Sequence, residues 1–213
     1  MDSQLDSVVI DPPAVDRELA RLGLTRELVH TVAERAAAAR AEALSIDPRG
    51  SAGWDSYRHG HRAMRLALLP AGWRIDRSNN VESVVNDERG IQLIFQNVDQ
   101  ACGVSHPKAI SERGAGCRNL VNESQGALFQ SRGAEIVPLG TRPTVWLVCV
   151  SADDYSMRAE VSCPECFEGS QFEGFSLRLL VVDETYDTPR SPKHDNSEPD
   201  DADHSLDVVV TKK

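Results

Sequence analysis

Two runs in the second half of the chain, residues 145–150 and 177–182, carry apolar side chains at nearly every position, the pattern of strands covered on both faces. They predict two central strands. Between them, residues 158–163 alternate: Ala159, Val161 and Cys163 fall on one side, and Arg158, Glu160 and Ser162 on the other. That period of two predicts a strand with one face in water. Upstream, residues 73–77, 81–85 and 91–98 read as three more strands. The turn-rich segments Ser78-Asn79-Asn80 and 86–90 divide them, so an antiparallel meander is expected. In the third of these, Ile91, Leu93 and Phe95 alternate with Gln92, Ile94 and Gln96, again leaving one face mostly wet.

The first third of the chain has the period of helices. Residues 14–22 suit a short helix. Thr25 is an N-cap, Leu24 and Val29 stand where a hydrophobic staple places them, and Leu28, Val32 and Ala36 recur at helical spacing to about Leu44. The alanine-rich middle gives this helix a shallow apolar face, which predicts a position on the outside. A further helix is expected over 54–69, with Tyr57, His61, Met64 and Leu68 on one stripe and Pro70 closing it.

These periods add up to an α+β domain over 14–187. Helices within 14–69 pack on one face of a mainly antiparallel sheet of five to seven strands formed by 73–183. Residues 1–13 are expected to be a flexible arm, because Pro12-Pro13 fits neither a helix interior nor a central strand. Residues 99–142 hold six glycines and only short apolar patches. A structureless loop of that length inside a compact domain is improbable, so a mixture of small elements and a loop laid across the sheet is expected. Residues 188–213 are acidic, with Pro192 and Pro199 and no aromatic residue, and are expected to be disordered. Within them Leu206, Val208, Val209 and Val210 form a short aliphatic run suited to adding a strand to a sheet edge, the chain's own or a partner's.

Charge narrows the function. The net charge is −10, of which −5 lies in residues 183–213 and −5 on the other 182 residues, so the body is only mildly acidic. That balance gives no general nucleic-acid surface but leaves room for a local patch. Arg58, Arg62 and Arg65 supply one, because they recur at i, i+4 and i+7 and share a helix face. They are the candidates for contact with an anion or a nucleic-acid backbone, against the blander reading of a solvated face paired with nearby acids. Of the 23 basic residues 19 are Arg, and Lys108 is the one Lys before residue 193. No Gly-rich phosphate loop precedes it, which removes a Walker-type NTPase or a Schiff-base enzyme.

Cys163-Pro164-Glu165-Cys166 suits zinc, since two thiolates near each other can fill two tetrahedral positions; Cys102, His106 or Cys117 would have to complete the site. Zinc is the one cofactor the cysteines suggest. The same residues permit a cysteine-dependent enzyme, with Cys102 or Cys117 as nucleophile and His106 as base. His59 and His61 splay apart on a helix and make a poor metal pair. No G-x-S-x-G, H-E-x-x-H, G-x-G-x-x-G or EF-hand pattern is present. Five cysteines without a basic, apolar leader, and no run of roughly 20 apolar residues, point to a cytoplasmic chain with reduced thiols and no membrane partner. The leading expectation is therefore a non-enzymatic binding or regulatory protein, an inhibitor or accessory subunit, acting through an unidentified protein partner.

Overall fold

The computed structural model describes residues 7–111, 114–129 and 143–190; at residues 7 and 123–129 only the backbone is described. Seven strands form one sheet, β1 (Ser7–Val9), β2 (Arg74–Asp76), β3 (Ser83–Asn86), β4 (Ile91–Asn97), β5 (Thr144–Ala152), β6 (Ser156–Glu168) and β7 (Gln171–Thr185). The order across it is β1-β7-β6-β5-β4-β3-β2. The expected α+β class holds: α1 (Pro12–Arg21), α2 (Arg26–Ala41) and α3 (Ser51–Leu68) pack on one face of a mostly antiparallel sheet. The β2-β3-β4 meander is antiparallel as its turns require, and so are β5-β6-β7.

Two pairings are parallel. Strand β1 lies beside β7, and β4 beside β5, so the chain between Asn97 and Thr144 must cross over the sheet rather than turn back. The arm expected over 1–13 is thus corrected for its second half. Ser7–Val9 is the edge strand, and Pro12 and Pro13 open α1, where the missing N–H groups would have had no helical acceptor. Asp11 caps that helix by accepting from the Ala14 N–H at 3.1 Å. Thr25 caps α2 in the same way, through the Leu28 N–H at 3.1 Å. Helix α2 lies on the sheet with Thr31, Glu34, Arg35 and Ala38 exposed, and its inner face is deeper than its composition suggested. Ala33, Ala36, Ala37 and Ala39 are buried, because small side chains let it lie close to α3 and the sheet. Residues 191–213, with the expected acidic tail and its aliphatic end, lie outside the described residues, as do residues 1–6.

The second face of the sheet is covered as well, which corrects both wet-face expectations. The crossover places helix α4 (Ala115–Phe129) there, with Cys117, Leu120 and Val121 packed on Ile94, Val145, Leu147 and Cys149. Gln92 and Gln96 of β4 and Glu160 and Ser162 of β6 are consequently buried. Register slips in the β6-β7 pair assist. They leave Val181 and Ser176 of β7 unopposed, and a one-residue slip sends every later side chain to the other face. Phe175 thereby joins the second core instead of the first, where it meets Phe167 and Phe172.

Charge pins the crossover. Arg178, placed in the middle of an otherwise apolar run, meets Glu160 through two hydrogen bonds, Nε at 2.9 Å and a terminal nitrogen at 2.7 Å. Glu160 also accepts from the Cys102 N–H at 2.6 Å and the Ser162 hydroxyl at 2.7 Å, while Arg178 donates to the Gly103 carbonyl at 3.1 Å. Both side chains are essentially removed from solvent, at 1% and 0% exposure. Desolvating two charges costs several kcal/mol each, and only a fully bonded pair recovers that. Here the pair closes the sheet, and its remaining bonds fix the backbone at residues 102–103.

Candidate functional site

Helix α3 owes its position to one glycine. At Gly60 a Cβ would stand 2.3 Å from the Phe95 ring, so the helix backbone lies directly against β4. Its first turn is tied to the end of that strand, the Ser56 hydroxyl to Asn97 Oδ1 at 2.9 Å and Asn97 Nδ2 to the Gly53 carbonyl at 3.0 Å. The stripe expected to face inward does so: His61, Met64 and Leu68 are buried, and Tyr57 is half-buried.

A neighbouring stripe, about a quarter-turn round the helix, lines a groove of about 380 Å³ that Tyr57 and His61 of the inward stripe also border. Arg58, Arg62 and Arg65, which the sequence put on one helix face, all line it, together with Trp54, Leu66 and Leu69. The apolar members are open to solvent, Trp54 at 63%, Leu66 at 72% and Leu69 at 38%. Behind them runs a chain of rings. Trp54 stacks on Tyr57 at 5.9 Å, Tyr57 meets His61 edge-on at 4.5 Å, and His61 meets Phe95 at 5.7 Å. The exposed indole therefore rests on a support that continues into the core.

The three arginines are engaged to different degrees. Arg58 pairs with Asp55 one turn away at 3.0 Å, a contact of little strength at such exposure. Arg65 bonds Glu82, which also accepts from Arg77 at 3.2 Å. Partial burial pushes the Glu82 carboxyl up, but the hydrogen bond and charge of Arg65, with those of Arg77, outweigh it and hold the group below the usual carboxylate range. The Nε–H of Arg65 is buried with no acceptor among the described residues. Arg62 is exposed and has no hydrogen-bond or ion-pair partner among them. Trp54, Leu66 and Leu69 escaped the sequence reading. The signal was available, because positions 54, 58, 62, 65, 66 and 69 continue the arginine stripe at steps of three and four.

The cysteines that the sequence singled out fall in different settings. Cys163 is buried on β6 with its thiol 3.6 Å from the Val145 carbonyl, whereas Cys166 is half-exposed, its thiol 3.3 Å from the Glu173 carbonyl. Desolvation pushes the Cys166 thiol up, and Glu168, Glu165 and Glu173 add to this, the reverse of what a thiolate ligand needs. Cys102 donates to the Ala159 and Val182 carbonyls, and burial, with Glu160 and Asp183, pushes its thiol up to about 12. A nucleophile at neutral pH needs the opposite shift. Cys117 lies in the second core, and the His106 ring stands edge-on to Phe175 at 5.2 Å. Among the described residues no group of three or more His, Cys, Asp or Glu side chains is arranged to hold a metal ion. His61 sits between aromatic rings and His59 lies beside Arg58. The aliphatic run Leu206, Val208, Val209 and Val210 lies outside the described residues.

No helix among the described residues is long and apolar enough to cross a membrane. No family model matches the chain, and neither a curated protein nor a solved structure matches it significantly.

Proposed function

We propose that the protein is a non-enzymatic binding protein, an accessory or inhibitory factor, whose docking face is the α3 groove. Its partner is a protein segment that combines carboxylates with apolar side chains. The carrying observation is the groove's makeup: exposed Trp54, Leu66 and Leu69 interleaved with Arg58, Arg62 and Arg65 on a rigid helix. Trp, Tyr and Arg are the residues in which protein interfaces concentrate their binding energy. Exposed apolar side chains gathered at one concave site are better explained by an occupant than by solvation. Arg62 supplies a charge that is not matched among the described residues.

A single-stranded nucleic acid would use the same arginines and could stack on Trp54. The groove favours protein because a phosphate backbone would leave exposed Leu66 and Leu69 uncovered, whereas apolar side chains of a peptide would cover them. The five free cysteines accord with a cytoplasmic setting.

The test is fluorescence anisotropy with two labelled probes, a peptide of alternating Glu and Leu or Phe and a single-stranded DNA of similar length. Each is titrated with the full chain and with Arg62→Glu at low and moderate salt. The docking reading expects the peptide to bind and Arg62→Glu to weaken it. Tight DNA binding that falls steeply with salt would replace it with the nucleic-acid reading, and no response to either probe at any salt would end both.

A further inference from the structure

We infer that the chain's own acidic segment, residues 195–210, is the resident occupant of the α3 groove and that an incoming partner must displace it. This rests on the docking reading of that groove and adds its regulation.

Charge is the first argument. Between residues 195 and 211 the chain carries Asp195, Glu198, Asp200, Asp201, Asp203 and Asp207 and no Lys or Arg. The groove presents three arginines over eight residues of helix, about 10 Å of axis. The acids between 198 and 203 span roughly 17 Å when extended, enough to lie along all three. Order is the second argument. Leu206, Val208, Val209 and Val210 follow the acids, and the groove pairs its arginines with exposed Leu66 and Leu69 toward the end of the helix and Trp54 toward its start. An acidic stretch followed by an aliphatic one is the chemistry this groove calls for.

Reach is the third. The described residues end at Arg190, whose N–H bonds the Asp154 carbonyl in the β5-β6 turn at 3.0 Å. That turn follows the C-terminal end of β5, and β5 runs parallel to β4 with Asn97 opposite Val150. The first turn of α3 is bonded to that same Asn97. Exit point and groove entrance thus share one end of the sheet, separated by about two strand spacings, or roughly 10 Å, and one layer of packing of similar thickness. Eight residues from Arg190 to Glu198 extend to roughly 26 Å, so the acids reach the arginines in cis.

A tethered occupant competes at a high effective concentration, so even weak contacts lower the groove's apparent affinity for anything else. The experiment compares the full chain with a full-length variant carrying Glu198→Gln, Asp200→Asn, Asp201→Asn and Asp203→Asn. The first readout is the NMR signal of the Trp54 indole N–H, assigned by Trp54→Phe. The second is affinity for the Glu/Leu peptide probe. The expected result is a shift of the Trp54 signal on neutralisation, reproduced in the parent chain by high salt and independent of protein concentration. A gain of about fivefold in probe affinity should accompany it.

An unchanged Trp54 signal overturns the inference. If the probe still binds both chains equally, the docking reading survives while the tail is ruled out as its rival. If the Trp54 signal shifts but neither chain takes the probe, the cis contact stands and docking of a separate partner falls. A shift that grows with protein concentration contradicts the cis arrangement, because the occupant would then come from a second copy.

Discussion

Arg178 and Arg65 each meet a glutamate, yet the two sites have opposite characters. Around Arg178 and Glu160 solvent is excluded, at 1% and 0% exposure, and Glu160 has four hydrogen-bond donors directed at it. Arg65 and Glu82 are 19% and 36% exposed and lie beside Arg62, which is unmatched among the described residues, and beside apolar side chains left in water. The buried cluster is closed to solvent, and its carboxylate already accepts from four donors. The open one has uncovered apolar surface and a charge that is not matched among the described residues. Charge at a protein surface is ambiguous alone; what separates structure from function here is whether each group's needs are already met.

The comparison breaks most easily at the buried pair. Arg178→Met strands Glu160 in a dry interior and should cost about 3–5 kcal/mol of stability, read from denaturant unfolding at neutral pH. Adding Glu160→Leu should return much of the loss, since an apolar pair of similar size avoids both desolvation terms. A double variant as unstable as the single would mean that the bonds to Cys102 and Gly103 matter more than the charges.

That cluster was not legible from the alternation in 158–163. A period of two tells which side chains share a face, but not whether water or a crossover lies on it. Glu160 read as solvated because its partner sits on another strand and its cover, residues 99–129, has no strong helical period. The parallel β4-β5 pair was hidden for the same reason. The helices fared better because their signals are local: the Thr25 cap and the Tyr57, His61, Met64 and Leu68 stripe each need only a few neighbouring residues. The groove was half legible. Three arginines at i, i+4 and i+7 announce a face, but exposed Trp54 and Leu66 on it look like core residues until the fold shows that the neighbouring stripe is the buried one. Cys163 and Cys166 lie on strand β6, one buried and one half-exposed, a placement that the C-x-x-C spacing alone does not convey.

Next in size is Gly60→Ala. The new methyl would collide with the Phe95 ring, and with the helix anchored at Asn97 the core has little room to yield. A loss of about 1–3 kcal/mol is expected, together with weaker peptide binding as α3 shifts. Arg62→Glu should do the reverse. Stability should stay within about 0.5 kcal/mol of the parent, as for most exposed substitutions, while affinity for an acidic peptide falls by about fivefold or more. An Arg62→Glu chain that unfolds earlier but binds equally well would place Arg62 with the structural charges.

The smallest effect is set by pH. Asp153 accepts from the Tyr155 and Ser156 N–H groups at 2.8 and 2.7 Å and from the Ser156 hydroxyl at 3.0 Å. The bond from Tyr155 foremost, against some desolvation and helped by Ser156, holds its carboxyl below the usual range. A depressed folded-state value means the contribution is fully present above the ordinary carboxylate pKa near 4 and is lost as pH falls through the folded-state value. Asp153→Asn should therefore lower stability slightly at neutral pH, solvent screening keeping the effect small, and the difference narrows below about pH 4 and vanishes once the parent's carboxyl is protonated.

The most direct test of the contrast is a chemical-shift map of the full-length chain with its tail acids neutralised, titrated with the Glu/Leu peptide. The shifts should concentrate on Trp54, Arg58, Arg62, Arg65, Leu66 and Leu69, and leave Cys102, Glu160, Ser162 and Arg178 in place. Shifts centred on the Glu160–Arg178 cluster, with the α3 stripe unmoved, would contradict the assignment of docking to the open site and of structure to the closed one.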